Sequence, residues 1–392
     1  MTTFEPTRSA ALAALDRFVP TAGHHYAEQR NFDYGPDRRD NISVLSPYIR
    51  HRLISEQEVI AAVLTAHSPA VAEKFIQEVF WRTYWKGWLQ QRPAVWQQYL
   101  VELEYQKSRK IYGLATACDG ETGIECFDFW ANELHTTGYL HNHARMWFAS
   151  IWIFTLRLPW QLGADFFLQH LLDGDPASNT LSWRWVAGLQ TIGKHYVASA
   201  DNIERYTDGR FERPRLTLQP APVAAAPHPD PAAIIPVPSP VPGNYMLLLT
   251  AEDMYPLDAL PDGVQLAGVA AVDPVQPCAA NVAEFCKNAL ENATREIAGQ
   301  LGIRAKFIES WSAVDLANWA KECGVTDIVV AEASVGFVAP KLKRLAQDLV
   351  ARGICLHFFR HPWDDLCWPH ARKGFFAFKD KIPSIIRQLN LA

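Results

Sequence analysis

The chain has 392 residues, 49% of them hydrophobic and 20% charged, which is ordinary for a globular protein of roughly two or three domains. A formal net charge of −5 at pH 7 argues against a protein that coats nucleic acid without sequence preference, although a local basic patch is compatible with it. The seven cysteines show no metal-ligand spacing, so we predict reduced thiols in a cytoplasmic protein and no metal site. The most apolar stretch, residues 146–160, is interrupted by Arg157 and is too short to span a membrane.

A proline-rich segment, residues 216–243, divides the chain in two. Proline recurs there at every second or third position over much of the run. Because proline lacks a backbone N–H and fixes φ, such a run forms neither helix nor sheet, and we predict an extended linker. The predicted domains are therefore residues 1–215 and residues 244–392.

The first half has the residue spacing of helices. Apolar residues recur at helical intervals in the segment Ser55–Ala66, and Ser55 with Glu58 forms a capping-box pattern at its start. The same spacing continues in three further segments, which are Val71–Leu89, Phe127–His135 and His143–Thr155. Few runs alternate with a period of two, so the sequence predicts an all-helical domain.

The second half alternates between strand-like and helix-like segments. The runs that predict strands are Tyr245–Thr250, Val264–Val272, Ala305–Ile308, Asp327–Ala331 and Ile354–Phe359. Helical patterns lie between them at Val282–Leu301, Ala313–Glu322 and Pro340–Arg352. This alternation predicts a doubly wound parallel sheet, a Rossmann-like or flavodoxin-like α/β domain, although no GxGxxG or Walker motif is present. The predicted fold class is therefore multidomain, α and α/β.

One polar cluster stands out in the first half. Asp173 and Asp175 lie on a single short turn, Asn179 follows four residues later, and Arg145 is available to pair with a carboxylate. Buried polar groups of this kind need partners. From the residues alone, two interpretations stay open, which are a helix-capping and salt-bridge network and a functional site.

Several separated motifs then resemble one family. The pattern HNxxRM at residues 141–146, DGDxAxN at 173–179 and WxW at 183–185 resembles the FAD-binding helical domain of DNA photolyases and cryptochromes. Upstream, residues 26–32 and 41–50 resemble the flavin-phosphate segment of that family, and residues 75–84 resemble its ExxWRxF helix. The resemblance covers about residues 8–190 in the right order, and it implies FAD as the cofactor.

The resemblance also implies roles for individual residues. The diphosphate and ribityl part of FAD would be held by Tyr26, Ser43, Leu45, Ser46 and Arg82. The flavin ring would be flanked by Asn142, Arg145, Asp173 and Asp175, with Asn179 facing its N5 atom. Hydroxyls and backbone N–H groups near a helix start suit a phosphate, and an arginine adds charge-assisted bonds.

The family further implies an electron path and a substrate contact. Trp183 and Trp160 occupy the positions of an electron-hopping chain, and its third member is open among Trp88, Trp96, Tyr105 and Tyr112. Glu78, Trp81 and Trp185 match the positions at which photolyases meet a flipped-out pyrimidine dimer. Tryptophan faces stack on bases and a carboxyl group bonds a base edge, so the chemistry is consistent.

The sequence departs from the family pattern in three ways. His143 replaces an arginine beside the pocket, and Lys194 and Tyr196 replace residues expected along the DNA-facing rim. The α/β domain follows the helical domain instead of preceding it, which suggests a swapped domain order with an antenna-like domain last. An independent flavodoxin-like domain is the alternative.

These observations leave three functional hypotheses. The leading one is a blue-light-driven enzyme that repairs pyrimidine dimers in damaged DNA, and Asn142 favours cyclobutane dimers. The second is a cryptochrome-like photoreceptor that acts on a signalling protein without DNA repair. The third is a flavoenzyme with another substrate. A second antenna chromophore of the deazaflavin, folate or flavin type is a further expectation.

Overall fold

The computed structural model describes residues 4–217, 220–224 and 226–391. Its described residues before Gly243 contain helices and no strand, which confirms the all-helical prediction for the first half. The helices are α1 (Arg8–Phe18), α2 (His24–Gln29), α3 (Ser46–Arg50), α4 (Glu56–Ala66), α5 (Glu73–Gln90), α6 (Pro93–Lys107), α7 (Leu114–Cys118), α8 (Glu125–Thr137), α9 (Asn142–Ser150), α10 (Trp160–His170), α11 (Pro176–Val186) and α12 (Ala200–Tyr206).

Local sequence signals set several helix ends. The capping box predicted for α4 is present, because the Ser55 hydroxyl accepts from the backbone N–H of Glu58 while the Glu58 carboxylate accepts from that of Ser55. The most apolar stretch continues α9 as a π-helical turn, Ile151–Thr155, whose side chains are largely buried. Among the described residues, no helix combines the length and the apolarity that a membrane crossing requires.

The second half contains a five-stranded parallel sheet. Its strands are β1 (Gly243–Leu249), β2 (Val264–Val272), β3 (Arg304–Ile308), β4 (Asp327–Ala331) and β5 (Cys355–Phe359), in the spatial order β3-β2-β1-β4-β5. The helices of this half are α13 (Ala280–Leu301), α14 (Ala313–Glu322), α15 (Val338–Val350), α16 (Pro362–Cys367), α17 (Phe375–Lys379) and α18 (Ile382–Gln388).

Side chains alternate between the two faces of this sheet. Along β1, Leu247 and Leu249 join the core that α13 and the helical half share. Met246 and Leu248 join a second core with α14 and α15. Period-two alternation into two apolar layers is what a doubly wound sheet requires, so the predicted α/β fold class is confirmed.

The predicted linker has no helix and no strand in residues 216–217, 220–224 and 226–242, while residues 218, 219 and 225 lie outside the described part of the chain. It runs along the helical half. The Ala232 N–H donates to the Gln91 carbonyl oxygen at 2.9 Å, and Arg92 Nε donates to the Pro229 carbonyl oxygen at 3.1 Å. The exact domain boundaries stay a prediction.

The tripeptide 50–52, at the C-terminal end of α3, joins the two halves. Arg50 Nη2 donates to Glu252 Oε1 at 2.7 Å, beyond the end of β1, and Arg50 Nε donates to the Gly174 carbonyl oxygen at 3.0 Å. His51 Nδ1 lies 2.7 Å from the Ala251 carbonyl oxygen. One short segment therefore contacts both the turn before α11 and the turn after β1.

Arg52 is surrounded by three buried carboxylates. Its guanidinium lies 2.7 Å from Asp364, 3.2 Å from Glu56 and 3.4 Å from Asp253. Burial alone would raise the pKa of Glu56, but the charge of Arg52 outweighs it and lowers that pKa to about 2. Asp253 and Asp364 belong to the second half, so this cation neutralises anions from both halves.

Replacing Arg52 by Met is expected to destabilise the protein strongly. The substitution keeps the apolar stem but leaves three buried carboxylates without their cation, which costs about 3–5 kcal/mol of unfolding free energy. Equilibrium chemical denaturation measures the loss. Arg213→Met is the control, because Arg213 pairs with exposed Asp201 and Glu204 and its loss costs at most about 1 kcal/mol. An equal loss of unfolding free energy in the two variants would contradict the role of Arg52 as the cation that neutralises the buried carboxylates.

Candidate functional site

The turn between α10 and α11 holds the predicted ion pair. Arg145 Nη1 and Nη2 each lie 2.9 Å from one of the two carboxylate oxygens of Asp173, a bidentate geometry. The Asp173 side chain is 2% exposed, whereas that of Arg145 is 23% exposed. Burial acts to raise the pKa of Asp173, and the charge of Arg145 outweighs it, so this carboxyl stays ionised. Asp173 is therefore a buried anion, and its partner Arg145 is a cation that stays partly accessible to solvent.

Asp175 has a structural role on the same turn. It is the N-cap of α11, and its Oδ1 accepts from the Ser178 backbone N–H at 2.6 Å. Its other oxygen lies 3.9 Å from Arg50 Nε. The helix-capping interpretation of the polar cluster is thus correct for Asp175, and it does not exclude a ligand at Asp173.

The segment before α3 approaches this turn. The Ser46 hydroxyl hydrogen-bonds the Asp173 carboxylate, and Arg82 on α5 acts electrostatically on Asp173 and Asp175. The Leu45 backbone N–H donates to the Ser43 hydroxyl oxygen at 3.4 Å. The structure therefore brings the predicted phosphate-side residues of α3 and α5 to the DGD turn.

Several buried polar atoms near this turn lack a protein partner. They include Arg50 Nη1, Arg82 Nη1, Ser178 Oγ, Thr180 Oγ1 and Trp183 Nε1, which make no hydrogen bond within the protein. Buried polar atoms are rarely left unsatisfied, and each one costs free energy. A ligand rich in acceptor atoms, with phosphates at one end and a ring system at the other, would satisfy such atoms. The residues present thus fit FAD.

Tyr26 and Asn142, two other residues predicted to bind FAD, lie in environments unlike that of the DGD turn. Tyr26 on α2 is buried between the rings of Phe18 and Phe75, with centroids 5.6 and 5.4 Å away, and burial raises the pKa of its phenol. Asn142 is the first residue of α9, and its side chain is exposed. Tyr139 was missed by the sequence motifs, although its ring lies 5.3 Å from the Arg145 guanidinium.

Asn179 and Trp183 lie one turn apart on α11. Asn179 Nδ2 donates to the Ala164 carbonyl oxygen at 2.8 Å, which fixes the orientation of the amide. Trp183 is buried, edge to face against Phe167 at 5.1 Å. A side chain at Gly163 would overlap the Trp183 ring, so this glycine permits α10 and α11 to approach closely.

Trp160 connects to a further aromatic ring. Its ring centroid lies 5.5 Å from that of Tyr99 on α6, which in turn lies 5.2 Å from that of Trp96. Tyr99 was not among the residues that the sequence offered as the third member of the electron path. Its spacing of three residues from Trp96, on one face of α6, was the sequence signal that could have indicated it. Of the other candidates, Tyr105 and Tyr112 are exposed, and Trp88 packs against His228.

The three predicted substrate residues each have a defined partner. Glu78 Oε1 accepts from Arg30 Nη1 at 2.7 Å. Trp81 stacks on Phe375, with ring centroids 3.5 Å apart and an interplanar angle of 10°. Trp185 stacks on Tyr196 at 5.6 Å and 23°. The two tryptophans are thus each backed by an aromatic ring that the family motifs did not predict.

The histidines of the altered motif are structural links. His143 Nδ1 lies 2.7 Å from the Asn31 carbonyl oxygen, and His141 Nε2 lies 3.0 Å from that of Arg30. Burial lowers the pKa of His141 to about 4. Both rings therefore join the start of α9 to the end of α2, and the position that the family fills with arginine carries no fixed charge.

His141→Gln is expected to weaken the pH dependence of stability. Between pH 4.5 and 6 the unfolded chain binds a proton at His141 that the folded protein does not, so stability rises with pH in this range. Removing the group lowers that slope by up to about 1.4 kcal/mol per pH unit. Denaturation at several pH values measures it.

The matched control for that measurement is His24→Gln, at an exposed position on α2. We expect this control to keep the slope of the parent protein. A His141→Gln slope equal to that of the parent would contradict the assignment of a buried, neutral imidazole.

Comparisons with known proteins find similarity to DNA photolyases. Residues 75–209 match the family model described as the FAD binding domain of DNA photolyase. A deoxyribodipyrimidine photo-lyase from Thermus thermophilus is 33% identical over 193 residues, which are 47% of this chain and 43% of that protein. The chain thus spans less than half the length of this curated relative.

Two solved structures are also similar. A bacterial class III photolyase from Agrobacterium tumefaciens is 27% identical, with a TM-score of 0.44 over 52% of this chain and 43% of that one. A cryptochrome from Synechocystis is 22% identical, with a TM-score of 0.43 over 53% and 44%. The family match lies on the helices that hold Arg82, Arg145, Asp173 and Trp183. Residues 75–209 are therefore similar to the FAD-binding domain of DNA photolyase.

Proposed function

We propose that this protein uses FAD and blue light to repair pyrimidine dimers in DNA. The observation that carries the proposal is the Arg145–Asp173 pair at the DGD turn, together with unsatisfied donors on Arg82, Ser178 and Trp183. The curated relatives are named deoxyribodipyrimidine photo-lyases, which supports the same activity here. Cyclobutane dimers are the proposed lesion, because Asn142 stands where the 6-4 enzymes have histidine.

The pocket residues would divide the work of holding the cofactor. Arg82 and Ser46 offer donors for the phosphates, while Leu45 contributes a backbone N–H near the start of α3. Arg145 and Asp173 would flank the ring system, and Asn179 would meet its polar edge. Bound FAD would supply the light absorption and the electron that opens the dimer, as cofactors do for difficult chemistry.

The predicted substrate residues would bind a base that is flipped out of the DNA duplex. Trp81 and Trp185 offer indole faces, and Glu78 offers a carboxyl group. Burial raises the pKa of Glu78 although Arg30 acts to lower it, so this side chain is easier to protonate than an exposed glutamate. A protonated Glu78 can donate a hydrogen bond to a base edge as well as accept one.

A cryptochrome-like photoreceptor is the second candidate. Its supporting observation is the altered rim, in which His143 is tied to the Asn31 carbonyl oxygen and Tyr196 is stacked on Trp185. Light-driven reduction through Trp183 and Trp160 would then change a surface that a signalling protein contacts. Tyr99 is the proposed third member of that electron path, because it is the ring in contact with Trp160.

The second half is proposed to be the relocated antenna-like domain. The support is its parallel sheet and its ionic contacts with the helical half through Arg50 and Arg52. The cavity that Arg50, His51 and Cys286 line between the halves measures about 20 Å³, room for one water and not for a chromophore. A cleft of about 650 Å³ beside Trp160 has room for a ring system, but it is lined by the helical half and the linker and not by the second half.

The repair activity is tested on the purified, FAD-loaded full chain. After chemical reduction and blue-light exposure, single-stranded DNA that contains cyclobutane dimers is expected to lose its dimer signal, with no loss in the dark. Complete retention of the dimers at saturating light would reject repair of this lesion. Retention with normal flavin photoreduction would favour the photoreceptor.

Asp173→Asn is expected to release FAD. The amide keeps the shape of the carboxylate but leaves the partly buried Arg145 guanidinium without its anion, so the pocket loses its charge balance. The ratio of flavin to protein absorbance after purification measures the effect, and circular dichroism checks the fold. Asp201→Asn, at an exposed ion pair, should retain FAD. Full flavin content in Asp173→Asn would contradict the assigned pocket.

A further inference from the structure

The segment after α16 carries an unusual local charge. Residues 371–381 contain the four cations Arg372, Lys373, Lys379 and Lys381 and the single acid Asp380, in a protein whose net charge is −5. Arg372, Lys373 and Lys381 are exposed. A small cationic surface on an acidic protein is the feature that an anionic partner would select.

This segment is fixed to α5, the helix that carries two of the predicted substrate residues, Glu78 and Trp81. The Tyr84 hydroxyl donates to the Lys373 carbonyl oxygen at 2.8 Å, and Arg92 Nη2 donates to the Arg372 carbonyl oxygen at 2.8 Å. Lys379 Nζ lies 2.9 Å from Glu73 Oε1. The backbone contacts point toward α5 and α6, while the side chains of Arg372 and Lys373 stay in solvent.

Two neighbouring phenylalanines on α17 have opposite environments. Phe375 is 6% exposed and stacks on Trp81, whereas Phe376 is 81% exposed. A stacked partner covers only one face of an indole, and Trp81 stays half-buried, so part of its ring is still accessible. Phe376 and the two cations Arg372 and Lys373 thus lie within a few residues of Phe375, the ring that stacks on the half-buried Trp81.

We propose that Arg372–Phe376 forms a contact surface for single-stranded DNA, continuous with Trp81. Phe376 stacks on a base next to the one that Trp81 receives, and Arg372 and Lys373 contact the phosphates of the same strand. This inference rests on the proposed DNA substrate, and it assigns part of that substrate's binding to the second half of the chain. Stacking platforms combined with cations are how proteins bind unpaired strands without sequence preference.

A solvated charge run is the alternative explanation. Exposed lysines and arginines need no partner, and a single exposed phenylalanine does not need one either. What favours a nucleic acid is the location, because the cations and Phe376 flank Phe375, the ring that stacks on the residue expected to meet a base.

The test measures DNA binding by the FAD-loaded full chain in the dark, with a fluorescently labelled single-stranded oligonucleotide and fluorescence anisotropy. Phe376→Ala is expected to weaken binding about 5- to 100-fold, which is the range for loss of one stacked base. Phe376→Trp should restore it, because an indole also stacks. Phe129→Ala, at a partly exposed ring on α8, should bind as the parent does.

Salt dependence checks the phosphate contact separately. Lys373→Gln is expected to lower the slope of log affinity against log salt concentration by about 0.7, the value for one phosphate contact on a single strand. Lys343→Gln, at an exposed position on α15, should leave the slope unchanged.

The outcomes distinguish this inference from the proposed repair. Repair of dimers with unchanged binding in Phe376→Ala would overturn the contact surface and leave the repair activity standing. DNA binding that depends on Phe376 without any repair of dimers would overturn the repair activity and leave the contact surface standing. A parent protein that binds no DNA at all, as expected for a surface that takes a protein partner, would overturn both.

Discussion

The two halves of this protein depend on the buried cations of residues 50 and 52. Arg50 bonds the Gly174 carbonyl oxygen and the Glu252 carboxylate, and Arg52 neutralises carboxylates from α4, from the turn after β1 and from α16. Isolated charges are costly inside a protein, so each cation restricts where its anions can lie. The DGD turn is therefore held from two sides, by Arg145 on α9 and by Arg50 on α3.

The residues proposed to bind the cofactor are different from those proposed to contact the substrate. The Asp173 carboxylate is buried, whereas the proposed base-stacking tryptophans lie at half-exposed positions. Each of these tryptophans is backed by a ring from a region outside the family motifs, Phe375 for Trp81 and Tyr196 for Trp185. An aromatic backing restricts the rotation of an indole, and this reduces the entropy lost when a base stacks on it.

Several features could be read from local sequence, because they depend on neighbours along the chain. The capping box of α4 needs only residues three apart, and the strands β2 and β4 and the helix α14 have the bounds that periodicity predicts. The pairing of Arg145 with Asp173 was also predictable, since both belong to motifs with fixed spacing in one family. The π-helical turn after α9 was not predicted, because its apolar residues resemble those of an ordinary helix.

The sequence by itself therefore determined the fold class, the flavin-type motifs and the proline-rich division of the chain. Only the tertiary structure decided which distant residues meet. Trp81 and Phe375 are nearly 300 positions apart, Arg52 and Asp364 even further, and no periodicity or spacing rule relates such pairs. Burial and charge balance select these contacts, and both are properties of the folded protein that local sequence patterns do not contain. For the same reason Tyr99 and Tyr139 became visible as neighbours of Trp160 and Arg145 only in three dimensions.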